Sequence, residues 1–185
     1  MKTGLSVAIC LLALPILRAE ERPPTGLRAP ELAAEPQVPT TPKQREQVVA
    51  VTRSLEKTPF GLPAEIDREV ILSLVDHAPD IFPRLQDNIS PTIVSSKVPE
   101  WRAIYAQFVF GFVSFQLEQP KQKDDAVAVY SAALESCLEV YRLAVARSGT
   151  NRLPLLDAAD EQERSGTLRT FVEKLVADLP SQRAR

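Results

Sequence analysis

The stretch Ala106-AQFVFGFVSFQ-Gln116 holds four of the seven phenylalanines in the 185-residue chain. Phe108, Phe110 and Phe112 alternate as they would on one face of a β-strand. Helical spacing sorts a longer segment better. Trp101, Ile104, Tyr105, Phe108, Phe112 and Phe115 recur at i, i+3, i+4, i+7, i+11 and i+14. Ala103, Ala106, Phe110, Val113 and Leu117 form a second stripe nearly opposite. The polar residues Arg102, Gln107, Ser114, Gln116 and Glu118 fall mostly in the gaps between them. No proline lies between Pro99 and Pro120, so the whole segment is free to be one helix. A helix apolar on two sides sits inside a core. Gly111 then marks a point where a neighbouring backbone comes close, at a helix cost of about 1 kcal/mol relative to Ala.

Around this element the pattern stays helical. Thr41 reads as an N-cap, with Pro42 at the first helical position and Gln44 placed to close a capping box. Val48, Val51 and Leu55 follow at helical spacing up to the stop at Pro59. A second helix starts near Pro63, with Ile66, Val70, Ile71, Leu74, Val75 and Ala78 assigned to one broad buried face, and ends at Pro79. Pro83, Pro91 and Pro99 break the next segment into a short turn and an irregular connection. From Asp124 to Ser148 a long helix carries Val127, Tyr130, Leu134, Cys137, Leu138, Tyr141 and Val145 on a heptad-like seam, with Gly149 as the residue just past its end. The short link centred on Pro120 makes it the antiparallel neighbour of the Phe-rich helix. The last helical region, Leu155 to Leu179, has an amphipathic stripe of Leu168, Phe171, Val172, Leu175, Val176 and Leu179, with a break at Ser165-Gly166. The expectation is an all-α, single helical-bundle domain of about five helices over 41–180, with a disordered tail at 181–185.

The start of the chain is of another kind. Lys2 and the apolar run Leu5 to Leu17 form the n- and h-regions of a signal peptide, broken by Pro15, with cleavage expected after the small Ala19. The run is shorter than the ~20 residues a membrane-spanning helix needs, which favours a cleaved signal over a retained anchor. Ile9 makes "VAIC" a poor lipoprotein box. Residues 20–40, with Pro23, Pro24, Pro30, Pro36 and Pro39 and few large apolar side chains, read as a disordered Pro-rich linker. The expected location is secreted or periplasmic. Loss of residues 1–19 takes Cys10 with it and leaves Cys137 as the sole cysteine, so no internal disulfide supports the fold.

Charge excludes one class of partner. The whole chain carries 22 basic and 24 acidic residues, net −2; without Lys2 and Arg18 the balance is 20 against 24, or −4. Nucleic-acid binding needs clustered Lys and Arg, and the pattern shows no such cluster. His77 and Cys137 are too few for a zinc site, and Cys137 on a core seam reads as a buried thiol rather than a nucleophile. His77 suits the C-terminal turn of its helix. The acidic run Asp157, Asp160, Glu161 and Glu163 lacks the alternating loop of a calcium site and fits the early turns of a helix better. Asn88-Ile89-Ser90 is a glycosylation sequon made unfavourable by Pro91. No G-x-S-x-G, P-loop, G-x-G-x-x-G or H-E-x-x-H is present.

Lys123-KDDAVAVYSAALE-Glu135 resembles the second helix of a tetratricopeptide repeat, with Ala126, Tyr130 and Ala133 at its small–aromatic–small positions. The tryptophan of that motif is displaced, because Phe110 stands near its place and Trp101 lies about nine residues earlier. Leu138 replaces the closing proline, and no second copy follows. The segment is therefore read as a generic helical hairpin. No catalytic, cofactor-binding or metal-ligating residue is singled out. Two functional readings remain. One is an exported non-catalytic helical domain, a protein-interaction or structural module whose partner is another exported protein. The other is a small-ligand-binding protein or hydrolase-type enzyme whose carboxylates converge only in the fold.

Overall fold

The computed structural model describes residues 40–78, 98–149 and 152–177, without the side chains of Asp76 and His77. The signal peptide, nearly all of the linker, the segment around Asn88 and the C-terminal tail lie outside the described residues. Within them there are six α-helices and no strand: α1 (Pro42–Lys57), α2 (Leu62–His77), α3 (Trp101–Glu118), α4 (Ala126–Ser148), α5 (Pro154–Arg164) and α6 (Leu168–Ala177). The count exceeds the expected five because the last region is divided. Gly166 adopts a left-handed φ of 72° between α5 and α6, a conformation that stops a helix and that side chains with a Cβ disfavour.

Local chemistry sets the boundaries. The Thr41 side chain accepts from the backbone N–H of Gln44, and the Gln44 side chain accepts from the Thr41 N–H, so the capping box at α1 is complete. Thr40, assigned above to the linker, is buried and accepts a hydrogen bond from Arg45 Nε. α1 closes at Lys57, short of Pro59. α2 starts one residue before Pro63. α4 starts at Ala126 rather than Asp124, because the Asp125 side chain accepts from Ala128 N and caps it.

α3 divides the interior. One apolar cluster joins α1 and α2 to Ala106, Val109, Phe110 and Val113 of α3. The other joins Ala103, Ile104, Phe108 and Phe112 of α3 to α4, α5 and α6. Phe108 and Phe110 are 1 % and 0 % exposed, so adjacent alternating aromatics point into different cores. The sandwiched helix is thus present, with two shifts from the expected pattern. Ala103 belongs with the Phe108 side, not the Phe110 side. Gln107 and Ser114 are buried rather than lying in solvated gaps, and α1 and α4 supply the hydrogen-bond partners of Gln107.

α3 and α4 form the most extensive helix pair and run antiparallel, since Phe112 meets Tyr130 while Ile104 meets Cys137. Gly111 sits where they approach most closely. A Cβ built on it lies 2.6 Å from Ser136 Cβ and 3.1 Å from Ala133 Cα. α4 is buried more widely than a heptad seam requires. Val129, Ala133, Ser136 and Val140 are all buried, whereas the expected seam residues Val127 and Val145 are only half-buried. On α2 the inner face consists of Ala64, Asp67, Val70, Ile71, Leu74, Val75 and Ala78. Ile66, expected in this face, is 56 % exposed. No helix among the described residues is long and apolar enough to cross a membrane.

Candidate functional site

Three features outside the apolar cores concentrate chemistry or accessible surface. The first lies where α1, α3 and α4 meet. Gln107, one of the few polar side chains on α3, donates from Nε2 to the carbonyl of Thr52 and, at 2.8 Å, to Ser136 Oγ. Ser136 Oγ donates to Glu56 Oε1 at 2.7 Å. Glu56 also holds Arg53 Nη1 at 2.7 Å, and Arg53 Nη2 reaches Glu118 at 2.9 Å. Polar contacts therefore run from the buried Gln107 to the surface without a gap. Burial disfavours the Arg53 guanidinium, but Glu56 and Glu118 outweigh it and the pKa rises. Partial burial raises the Glu135 carboxyl above its ordinary value, and the Arg53 charge opposes the rise without cancelling it. Its side of α4 is exposed, so solvent screening keeps that pull weak.

This junction is where carboxylates do converge: Glu56 and Glu118 bind Arg53, and Glu135 lies within its field. Gln107, Ser136, Glu56, Arg53, Glu118 and Glu135 were not legible as one group, because Ser136 and Glu56 are 80 positions apart and Arg53 and Glu118 are 65 apart. The available signal was Gln107 itself, a large amide in an otherwise apolar helix.

The second feature is a cleft of about 180 Å³ between α4 and α5, lined by Tyr141, Arg142, Val145, Ala146, Arg152, Asp157, Asp160 and Arg164. Asp157 and Asp160 of the acidic run line this cleft, and they and Glu163 are met by arginines, whereas Glu161 is exposed and takes no part in these pairs. Arg142 binds Asp160 at 2.7 Å and also pairs with Glu163 and Glu139. Arg164 binds the other oxygen of Asp160 at 2.7 Å, and Arg152 binds Asp157 at 3.0 Å. Only Asp157 stands in the first turn of α5, so the helix-start reading covers part of the run, and the arginine contacts account for Asp160 and Glu163. No group of metal-ligating side chains forms among the described residues.

Tyr141 fixes this side of the domain. Its hydroxyl donates to Asp157 Oδ1 at 2.7 Å and accepts from the Leu153 N–H at 3.0 Å. Burial, with the Asp157 carboxylate adding to it, pushes the phenol up to about 12, although the Leu153 N–H acts in the opposite sense. A folded pKa above the unfolded value of about 10 gives stability that is complete below pH ~10 and is lost as pH rises towards 12. The melting temperature of the protein should therefore fall over that window, and Tyr141→Phe should shallow the fall. Thermal scans at stepped pH check this; an identical slope in the variant would contradict it.

Cys137 is fully buried, its Sγ lies 3.5 Å from the Ile104 carbonyl, and burial pushes the thiol far above its ordinary range. A thiolate is the reactive form, so this sulfur is a packing atom. Cys137→Ala should cost about 1–2 kcal/mol in urea unfolding, the range for removing a small buried group. It should leave any binding of the folded protein unchanged. The side chain of His77 lies outside the described residues.

The third feature is an apolar edge. Leu62 and Ile66, one turn apart on α2, are 68 % and 56 % exposed, and Leu143 on α4 is 40 % exposed. Phe60, two residues before Leu62, packs on the core beneath Arg147, whose guanidinium lies 5.3 Å from the ring centroid. Leu143 precedes Arg147 by one turn of α4. The end of the domain near the α1–α2 connection therefore carries these aliphatic side chains. Covering Leu62 and Ile66 would contribute about 2–4 kcal/mol, from ~1.5–3 kcal/mol per full burial scaled by their exposure. Comparison of the chain with known protein families, curated proteins and solved structures finds no match.

Proposed function

We propose that the chain is an exported, non-catalytic helical module that works by binding another exported protein. The exposed aliphatic edge of α2 is the observation that carries this reading: Leu62 and Ile66 are each more than half exposed and are members of neither apolar cluster. The state of the polar groups agrees with it. The carboxylates and arginines of the α4–α5 cleft satisfy one another, and about 180 Å³ is below the ~300–1,000 Å³ usual for a small-molecule pocket. The signal-like N-terminal sequence supports export, and the Pro-rich linker would hold the domain away from whatever precedes it.

The convergence of Glu56, Glu118 and Glu135 on Arg53 favours a second reading, a carboxylate hydrolase. Against it, Glu56 Oε1 already accepts from Ser136 and Arg53, so that oxygen is engaged within the protein rather than open to a substrate.

Chemical cross-linking of the exported fraction of its source cells tests the choice. A discrete heteromeric species containing this chain supports the module. A chain that stays uncross-linked and carries a small-molecule adduct in native mass spectrometry, or a hydrolytic activity abolished by Glu56→Gln, would overturn it.

A further inference from the structure

We infer that the outer edge of α2 is the binding surface of the module, and that its occupant is an amphipathic helical segment of another protein, with aliphatic anchors rimmed by Lys or Arg. The inference rests on the binding-module reading above. Leu62 and Ile66 supply apolar contacts one helical turn apart. Glu65 and Glu69 follow Leu62 at i+3 and i+7, on the same exposed edge. Arg68, the single Arg or Lys of α2, donates from Nη1 to the carbonyl of Pro59 and lies within the field of both Glu65 and Glu69, which outnumber it. Two aliphatic side chains flanked by carboxylates therefore face solvent.

The charge chooses the occupant. A second copy meeting this face about a two-fold axis would bring Glu65 and Glu69 near the same residues of its neighbour. Two exposed aliphatic side chains are also a small part of the ~1,200–2,000 Å² that a stable dimer buries. Phosphate-bearing surfaces, whether nucleic acid or anionic lipid, meet the same repulsion. A helix with aliphatic residues at i and i+4 and basic residues beside them meets both the apolar pair and the acidic rim, which is the helix-on-surface mode of peptide recognition.

The test is an NMR titration of the full-length chain, ¹⁵N-labelled, with a synthetic helix carrying leucines at i and i+4 and lysines on either side. The expected shifts centre on Leu62, Glu65, Ile66 and Glu69. Ile66→Ser should weaken binding about tenfold, the ratio that follows from losing one buried aliphatic anchor. The Glu65→Lys, Glu69→Lys double variant should weaken it more at low salt than at high salt. Ile66→Ser is at an exposed position and should leave the melting temperature unchanged; the double variant loses the first-turn acid of α2 and the pull on Arg68, so its melting temperature falls slightly and circular dichroism verifies that it is folded before the titration. Shifts centred on another face, no binding, equal binding of a peptide with Glu in place of Lys, or self-association through α2 without peptide would each overturn the inference. The cross-linking experiment separates this failure from failure of the parent reading. A heteromer that persists in Ile66→Ser removes this surface and leaves the module; no heteromer in the wild type removes both.

Discussion

Phe110→Asp is expected to leave the protein unfolded. Phe110 is 0 % exposed and packs among Val48, Val51, Leu55 and Ile71 in the cluster between α1, α2 and α3. The substitution removes an aromatic side chain, worth about 3–5 kcal/mol when truncated in a core. It also places a carboxylate where no cation lies in the surrounding cluster, which costs several kcal/mol more even after protonation. Together these reach the ~5–15 kcal/mol range that holds a domain of this size folded. Phe110→Leu is the control, because it keeps the position apolar and should remain folded with a reduced melting temperature. Far-UV circular dichroism and a thermal scan separate the outcomes. A cooperative melt at the wild-type temperature in Phe110→Asp would mean that this face of α3 is not covered.

Gly111→Ala has an expected sign opposite to that of helix propensity. In an uncrowded helix the change stabilises by about 1 kcal/mol. Here the new methyl group would lie 2.6 Å from Ser136 Cβ, 3.1 Å from Ala133 Cα and 3.2 Å from the Ala132 carbonyl oxygen. Two of these neighbours are backbone atoms of α4 and cannot swing aside, so α3 and α4 must move apart. That separation disturbs the Gln107–Ser136 hydrogen bond one turn away and loosens both clusters. Overpacking of this kind costs about 1–3 kcal/mol and more where backbone must shift. A net loss of about 2–3 kcal/mol is expected, which lowers the melting temperature by about 6–10 °C. Equilibrium urea unfolding gives the free energy directly. A variant more stable than the wild type would show that the helices do not approach as closely as described.

What could be read from the chain before its structure, and what could not, follows from the range of each interaction. The capping box at Thr41, the left-handed cap at Gly149 and the division at Ser165-Gly166 depend on residues within a few positions of one another, and each is found. The two stripes of α3 were legible because both of its apolar faces are covered. Ile66 shows the weakness of the same reasoning. Its spacing from Val70 places it with an apolar stripe, but spacing does not say how far round the helix the neighbours reach. The cover stops at Ala64 and Asp67, and Ile66 is left outside. The arginine partners of Asp157, Asp160 and Glu163 were unread for a related reason. Arg142 lies on the preceding helix, 18 and 21 positions from Asp160 and Glu163, and only the packing of α5 on α4 brings it to those two; Arg152 is five positions from Asp157 and its contact is local. The Gln107–Ser136–Glu56 contacts were further beyond reach, since three separate helices supply them.

These contacts also bear on function. The residues that attract notice as chemistry in the sequence, Cys137 and the acidic run, are occupied in packing and ion pairing. The residues proposed for binding are ordinary aliphatic ones whose meaning lies in being uncovered. The phenylalanine-rich stretch stands at the opposite extreme, enclosed by other helices on both sides.

Native-state hydrogen exchange followed by mass spectrometry tests that enclosure most directly. The amides of Phe108 to Ser114 should be among the slowest in the chain and should exchange only with global unfolding, because both faces of this segment are buried. The outer turns of α2 around Leu62 and Ile66 should exchange earlier, by local opening. Fast exchange across Phe108 to Ser114 in the folded protein would contradict a central helix shared by two cores.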